Sequence, residues 1–215
     1  MGWFSRKRAS SPPASRHPGA GPTPSAPTVT PASSVLRATD SPDPDSLVLD
    51  GIKAFRRGAI ETAQLAFLQA HIAGDVRGAV YLAHMHARRG DMDRALTFWE
   101  HAAAEGHVDS MLQLGLECER REQFGAARAW HAQAAAAGNE MAMFRMGILE
   151  LNDGNHDGAI SWYHQAAERG VRDAMYNLGV RYNELGDRKE ALRWYHRAAT
   201  AGDTDAEWQI RRLRL

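Results

Sequence analysis

The sequence predicts an all-α fold: a right-handed superhelical solenoid of about five helix-turn-helix repeats plus a C-terminal capping helix, with a disordered N-terminal tail. Three observations predict it. All nine prolines of the chain lie between Pro12 and Pro44, leaving a long Ala- and Leu-rich stretch free of helix breakers. Gly74, Gly106, Gly138, Gly170 and Gly202 recur at one constant interval. Trp99, Trp130, Trp162 and Trp194 follow at nearly the same interval, with the first gap one position shorter than the others. A fixed period of this length marks stacked repeats, each unable to bury its apolar face alone.

The elements follow in chain order. Residues 1–44 read as a disordered tail, because Pro, Ser, Ala and Thr dominate and burial cannot offset the entropy of ordering. The tail carries Arg6, Lys7, Arg8, Arg16 and Arg37 and no acid before Asp40, whereas residues 40–215 have a net charge of −5. Ser41-Pro42-Asp43-Pro44-Asp45-Ser46 marks the boundary, with Asp45 or Ser46 as N-cap, and residues 45–215 form the repeat domain.

Five helix pairs are expected at about 46–74, 78–106, 109–138, 140–170 and 172–202. In the last pair Met175, Leu178, Gly179 and Tyr182 form one apolar stripe, and Ala191, Leu192, Trp194, Tyr195 and Ala198 form the facing one. Gly186-Asp187 ends one helix and caps the next. Small residues at Gly115, Gly147 and Gly179 are expected to face the bulky Trp130, Trp162 and Trp194. The first unit is degenerate, with Phe67 in place of Trp and Ile52 in place of Gly. A lone helix over 204–214 caps the array, with Trp208, Ile210 and Leu213 on its inner side.

Ala174-Met175-Tyr176-Asn177-Leu178-Gly179-Val180-Arg181-Tyr182 resembles the first-helix signature of the tetratricopeptide repeat superfamily, in its Sel-one-like branch. Trp162 to Gly170 and Trp194 to Gly202 resemble the second-helix signature. The turn Leu185-Gly186-Asp187 is shorter than a Sel-one-like loop and looks like an ordinary tetratricopeptide turn. The resemblance covers about residues 46–215. It implies a non-catalytic scaffold or adaptor that holds a protein or peptide segment on a concave wall lined by the first helix of each pair.

On that wall the register places Tyr81, Met85, Arg88, Arg89, Leu112, Arg120, Phe144, Arg145, Tyr176, Asn177 and Asn183, and Arg56 and Arg57 join its basic end. Apolar anchors would sit along the middle, with an acidic part of the ligand facing Arg56, Arg57, Arg88 and Arg89. The alternative for these residues is ordinary packing between repeats and solvated loop ends. An alternative for the whole chain is a regulatory component that self-assembles through its tail and body.

Other chemistries find little support. No metal or other cofactor is expected, since His101, His164 and His196 form a vertical row too widely spaced to chelate, His84 and His86 point to different faces, and no His-Glu-x-x-His pair occurs. Nucleophile elbows and phosphate loops are absent, and Cys118 reads as a small core residue. The balanced charge argues against nucleic acid. Trp3, Phe4, Arg6, Lys7 and Arg8 suggest a membrane-surface contact, set aside because so short an anchor binds weakly. With one cysteine and no apolar span, the chain is expected to be cytoplasmic.

Overall fold

The computed structural model describes residues 43–214. Expectations for residues 1–42, the unstructured tail and the contact through Trp3, Phe4, Arg6, Lys7 and Arg8 among them, lie outside the described residues. Within these, eleven α-helices occur and no strand. They are α1 (Pro44–Arg56), α2 (Ile60–Ile72), α3 (Val76–Arg88), α4 (Met92–Ala104), α5 (Val108–Arg120), α6 (Phe124–Ala136), α7 (Glu140–Asn152), α8 (His156–Glu168), α9 (Arg172–Glu184), α10 (Arg188–Thr200) and α11 (Thr204–Arg214). The five pairs and the lone last helix fall close to the expected ranges. The first helix begins slightly earlier than expected, with Pro44 in its first turn and Asp43, not Asp45 or Ser46, at the N-cap.

The period is finer than the glycine series suggested. A new helix starts at half the glycine interval, and turns of one length join helices equally within and between pairs. Each turn is a Schellman motif. At α1 the Gly58 N–H donates to the Phe55 carbonyl (3.0 Å) and the Ala59 N–H to the Ala54 carbonyl (3.0 Å). The residue after the glycine then caps the next helix: Asp75, Asp91, His107, Asn139, Asn155 and Asp187 each accept from an N–H of the following first turn. Ten turns carry out one design, and nine use a glycine with positive φ. The tenth uses Glu122 at φ 58°. A side chain in that conformation costs about 1 kcal/mol relative to glycine. Glu122→Gly is therefore expected to raise the thermal midpoint by roughly 3 °C in a calorimetric scan.

Isolated helices of this length are marginal in water, so packing must hold them together. The substantial contacts run between consecutive helices, the pattern of a solenoid. An Ala-Ala pair precedes each of Gly106, Gly138, Gly170 and Gly202, and these pairs lie largely inside: Ala102, Ala134, Ala166, Ala167 and Ala198 are fully buried, and Ala199 is half-buried. The knob-and-hollow pairing differs from the expected one by a single position. The partners of Gly51, Gly115, Gly147 and Gly179 are the rings of Phe67, His131, Tyr163 and Tyr195, each at the equivalent point of the following helix. A Cβ at Gly51, Gly147 or Gly179 would lie 2.5 Å from the ring it faces. Trp99 shares this ring position, and Ala83 takes the glycine's place in its cluster. Trp130, Trp162 and Trp194 sit one position earlier, in the slot held by Phe98 in the second unit. The shorter gap between Trp99 and Trp130 is the trace of that shift. It also moves the degenerate position: Gly51 stands in the small slot, not Ile52. On α11, Ala206 and Ile210 face inward, whereas Trp208 is 54% exposed with the Arg212 guanidinium 5.1 Å above its ring.

His131 is the polar member of the ring series. It is fully buried, its Nε2 is 2.7 Å from Glu119 Oε1, and its Nδ1 has no protein partner. Arg145 joins Glu119 from the next unit. Burial holds His131 below the ordinary imidazole range despite Glu119, and burial does the same for His71, His84 and His164. A lowered histidine favours the folded state while neutral. Its contribution is present above the unfolded value near 6.5 and is lost as the pH falls through the lower folded value. Stability is therefore expected to fall between about pH 7 and pH 5. In His131→Phe the slope of denaturation free energy against pH should flatten over that window; an unchanged slope would remove His131 from the account.

Candidate protein-docking surface

The sequence-predicted residues divide into two groups. Toward the C-terminal half they are part of the fold. Phe144 is buried, and Leu112 is half-buried against the same apolar cluster. Arg145 pairs with Glu119. The Tyr176 ring is tilted on Tyr195 at 5.6 Å, and its hydroxyl accepts from Gln209 Nε2. Asn177 is half-buried beside the Tyr163 hydroxyl. Asn183 is half-buried, and its carbonyl accepts from the Gly186 N–H of the turn.

Toward the N-terminal end the residues converge on open space. Arg56, Tyr81, Met85 and Arg88 line one cavity of about 500 Å³. Its floor and walls are completed by Ile52, Phe55, Phe67 and His84, which register alone does not single out. Phe67 and Tyr81 stack with ring centres 4.5 Å apart. Next to it lies a second cavity of about 250 Å³, bounded by Ile60, Arg89, Phe55, Met85 and Arg88. The last three residues line both, forming a ridge in which the Arg88 guanidinium lies 5.8 Å above the Phe55 ring. Arg57 lines neither cavity; its Nε donates to the Lys53 carbonyl. Arg89 donates to the Gln64 side chain (3.0 Å).

None of Arg56, Arg57, Arg88 and Arg89 has a carboxylate at ion-pair distance among the described residues. Elsewhere guanidiniums do find acids: Arg128 lies between Glu150 and Asp153, and Arg197 is 2.6 Å from Glu168. The contrast is sharpest at a third arginine pair, Arg120-Arg121, which stands one full period after Arg88-Arg89. Both members close on buried Glu117: Arg120 Nη2 at 2.5 Å and Arg121 Nε at 2.7 Å. The Arg120 hydrogen bonds are the largest cause that holds the Glu117 carboxyl down at about 2.

Two further features complete the surface. Leu65, Leu68 and Ile72 form an exposed aliphatic stripe along α2, where the next unit has Thr97, Glu100 and Ala104. Burial pushes the half-buried Cys118 thiol up, away from the reactive thiolate. Among the described residues no three or more His, Cys, Asp or Glu side chains are grouped to hold a metal ion. No helix among them is long and apolar enough to cross a membrane.

The family model of the Sel1 repeat matches residues 109–139, 140–171 and 172–203. None of the curated proteins compared matches the chain. Among solved structures, a Sel1 repeat protein from Oxalobacter formigenes is similar at 21% identity and TM-score 0.64, over 76% of this chain and 75% of that one. YrrB, described as a TPR protein with an unusual peptide-binding site, is similar at 21% identity and TM-score 0.55, over 79% and 92%. The MamA protein follows at 19% identity and TM-score 0.54, over 77% and 94%. At these identities the likenesses concern the fold.

Proposed function

We propose, for a chain whose residues 109–203 form three Sel1 repeats within a longer run of helix pairs, that it is a non-catalytic scaffold holding a protein segment. The segment lies along the concave surface presented by the odd-numbered helices, and engages the first two units most strongly. The observation that carries this reading is the open apolar space beside Arg56 and Arg88, two guanidiniums without acidic partners among the described residues. Solenoids support such binding because curvature lines up equivalent helix faces. The peptide-binding site described for YrrB is in accord with it.

Photo-crosslinking tests the face. A crosslinker at Tyr81 or Asn177, on odd-numbered helices, is expected to capture a partner from cell extract. One at Ser161 or Arg193, on the exposed side of even-numbered helices, is not. The reverse pattern would move the binding surface to the opposite wall.

A further inference from the structure

A single repeat position decides whether an arginine pair is neutralised or left open. In the third unit that position is Glu117, a buried carboxylate clamping Arg120 and Arg121. One period earlier it is Met85, and two periods earlier it is Lys53. Met85 is buried at 6% exposure, the same as Glu117, so the slot is alike and only its chemistry changes. With a thioether there, Arg88 and Arg89 lose the acid that their counterparts hold, and the space beside them turns apolar. With an ammonium at Lys53, the positive charge beside Arg56 and Arg57 increases, offset in part by Asp50 at 3.2 Å.

We infer that this exchange makes the edge of α1 and α3 a docking strip for an acidic protein segment carrying two bulky apolar side chains. The inference rests on the scaffold reading and names the chemistry of its ligand. One apolar side chain enters the larger cavity between Phe67, Tyr81 and Met85. The other enters the smaller cavity against Ile60, across the Phe55–Arg88 ridge. Carboxylates of the segment supply from outside the charge that Glu117 supplies from within in the third unit, as charge-assisted hydrogen bonds to the guanidinium edges. Nucleic acid fits less well, because the Phe67 and Tyr81 rings already stack on each other at 4.5 Å and Phe67 is buried, which leaves no parallel aromatic faces for successive bases. The net charge of −5 over residues 40–215 also repels a polyanion beyond the strip.

The test uses the full chain and a fluorescein-labelled synthetic peptide of alternating Glu and Asp with two leucines. Three probes accompany it: the same peptide with Gln and Asn for its acids, the same peptide with Ser for its leucines, and oligouridylate of equal charge. The acidic leucine peptide should bind saturably at about 50 mM salt, and each altered peptide roughly tenfold more weakly. Met85→Glu rebuilds the internal clamp and should reduce binding at least tenfold with the circular dichroism unchanged. Arg88→Gln with Arg89→Gln should do the same if the first variant folds poorly. Glu117→Met frees Arg120, leaves Arg121 only its exposed contact with Asp93 at 3.5 Å, and should tighten binding severalfold. No saturable binding below about 1 mM, or a Glu117→Met variant no tighter than the parent chain, would overturn the inference. Stronger binding of oligouridylate would overturn it in favour of nucleic acid. Crosslinks from Tyr81 that persist in Met85→Glu would sink the strip while leaving the scaffold reading intact.

Discussion

Gly179→Val is expected to cost about 2–3 kcal/mol, lowering the thermal midpoint by roughly 8 °C. The reason is geometric. The helix positions 51, 115, 147 and 179 approach a ring of the next helix so closely that a first carbon would overlap it. At 179 the ring belongs to Tyr195, which is 1% exposed and packed among Trp194, Ala191 and Leu178. It has no empty space to retreat into, so the helices must separate. Removing the ring should remove most of the conflict. Tyr195→Ala alone leaves a cavity and costs about 3–5 kcal/mol. The double variant should lose less than the sum of the two single losses, by about 1 kcal/mol or more. Additive losses would mean that the glycine is there for some reason other than the ring.

Phe67→Ala is expected to unfold the first two units without unfolding the rest. The large cluster of buried residues runs from Ala134 to Ile210, whereas the cluster holding Phe67 contains only Ala54, Ala63, Leu82 and Met85 besides. In a solenoid each unit is supported only by its neighbours, so a loss of about 3–5 kcal/mol at a thinly packed end stays there. Amide hydrogen exchange should show protection lost over α1 to α4 and kept over α7 to α10. Peptide binding should vanish together with the N-terminal protection, because Phe67 and Arg56 border the same cavity. Uniform loss of protection along the chain would show instead that the helices form one cooperative block.

The helix pairs were legible because proline was excluded and a glycine returned at a constant interval; both follow from what a helix end requires. The half-period was hidden by one substitution. Glu122 interrupts the second glycine series of Gly58, Gly90, Gly154 and Gly186, and so conceals that all turns are alike. The same glutamate stands where Arg56-Arg57-Gly58 and Arg88-Arg89-Gly90 have glycine, which hides the match of Arg120-Arg121 with Arg88-Arg89. The ring register was obscured because tryptophan is conspicuous in a sequence, whereas the partners of the glycines are a Phe, a His and two Tyr. At the candidate site, Tyr81, Met85 and the four arginines could be read from register alone. Phe55, Ile52 and His84 could not, since which sides of two helices enclose a cavity depends on the angle at which they cross. Leu112, Phe144 and Tyr176 are apolar for the sake of the core, and a sequence pattern does not distinguish an apolar groove from an apolar interior.

The excision of one complete period tests most directly the claim that two-helix units stack through their neighbours alone. Removing residues 140–171 deletes α7 and α8 and joins α6 to α9 through a turn of the same kind. The account predicts a folded protein with unchanged helicity per residue, a modestly lower midpoint and undiminished binding at α1 and α3. Removing only residues 140–155 deletes α7 and sets α8 against α6, which leaves Tyr163 without Gly147; that protein should be largely unfolded beyond α6. Equal damage from the two excisions would contradict the account.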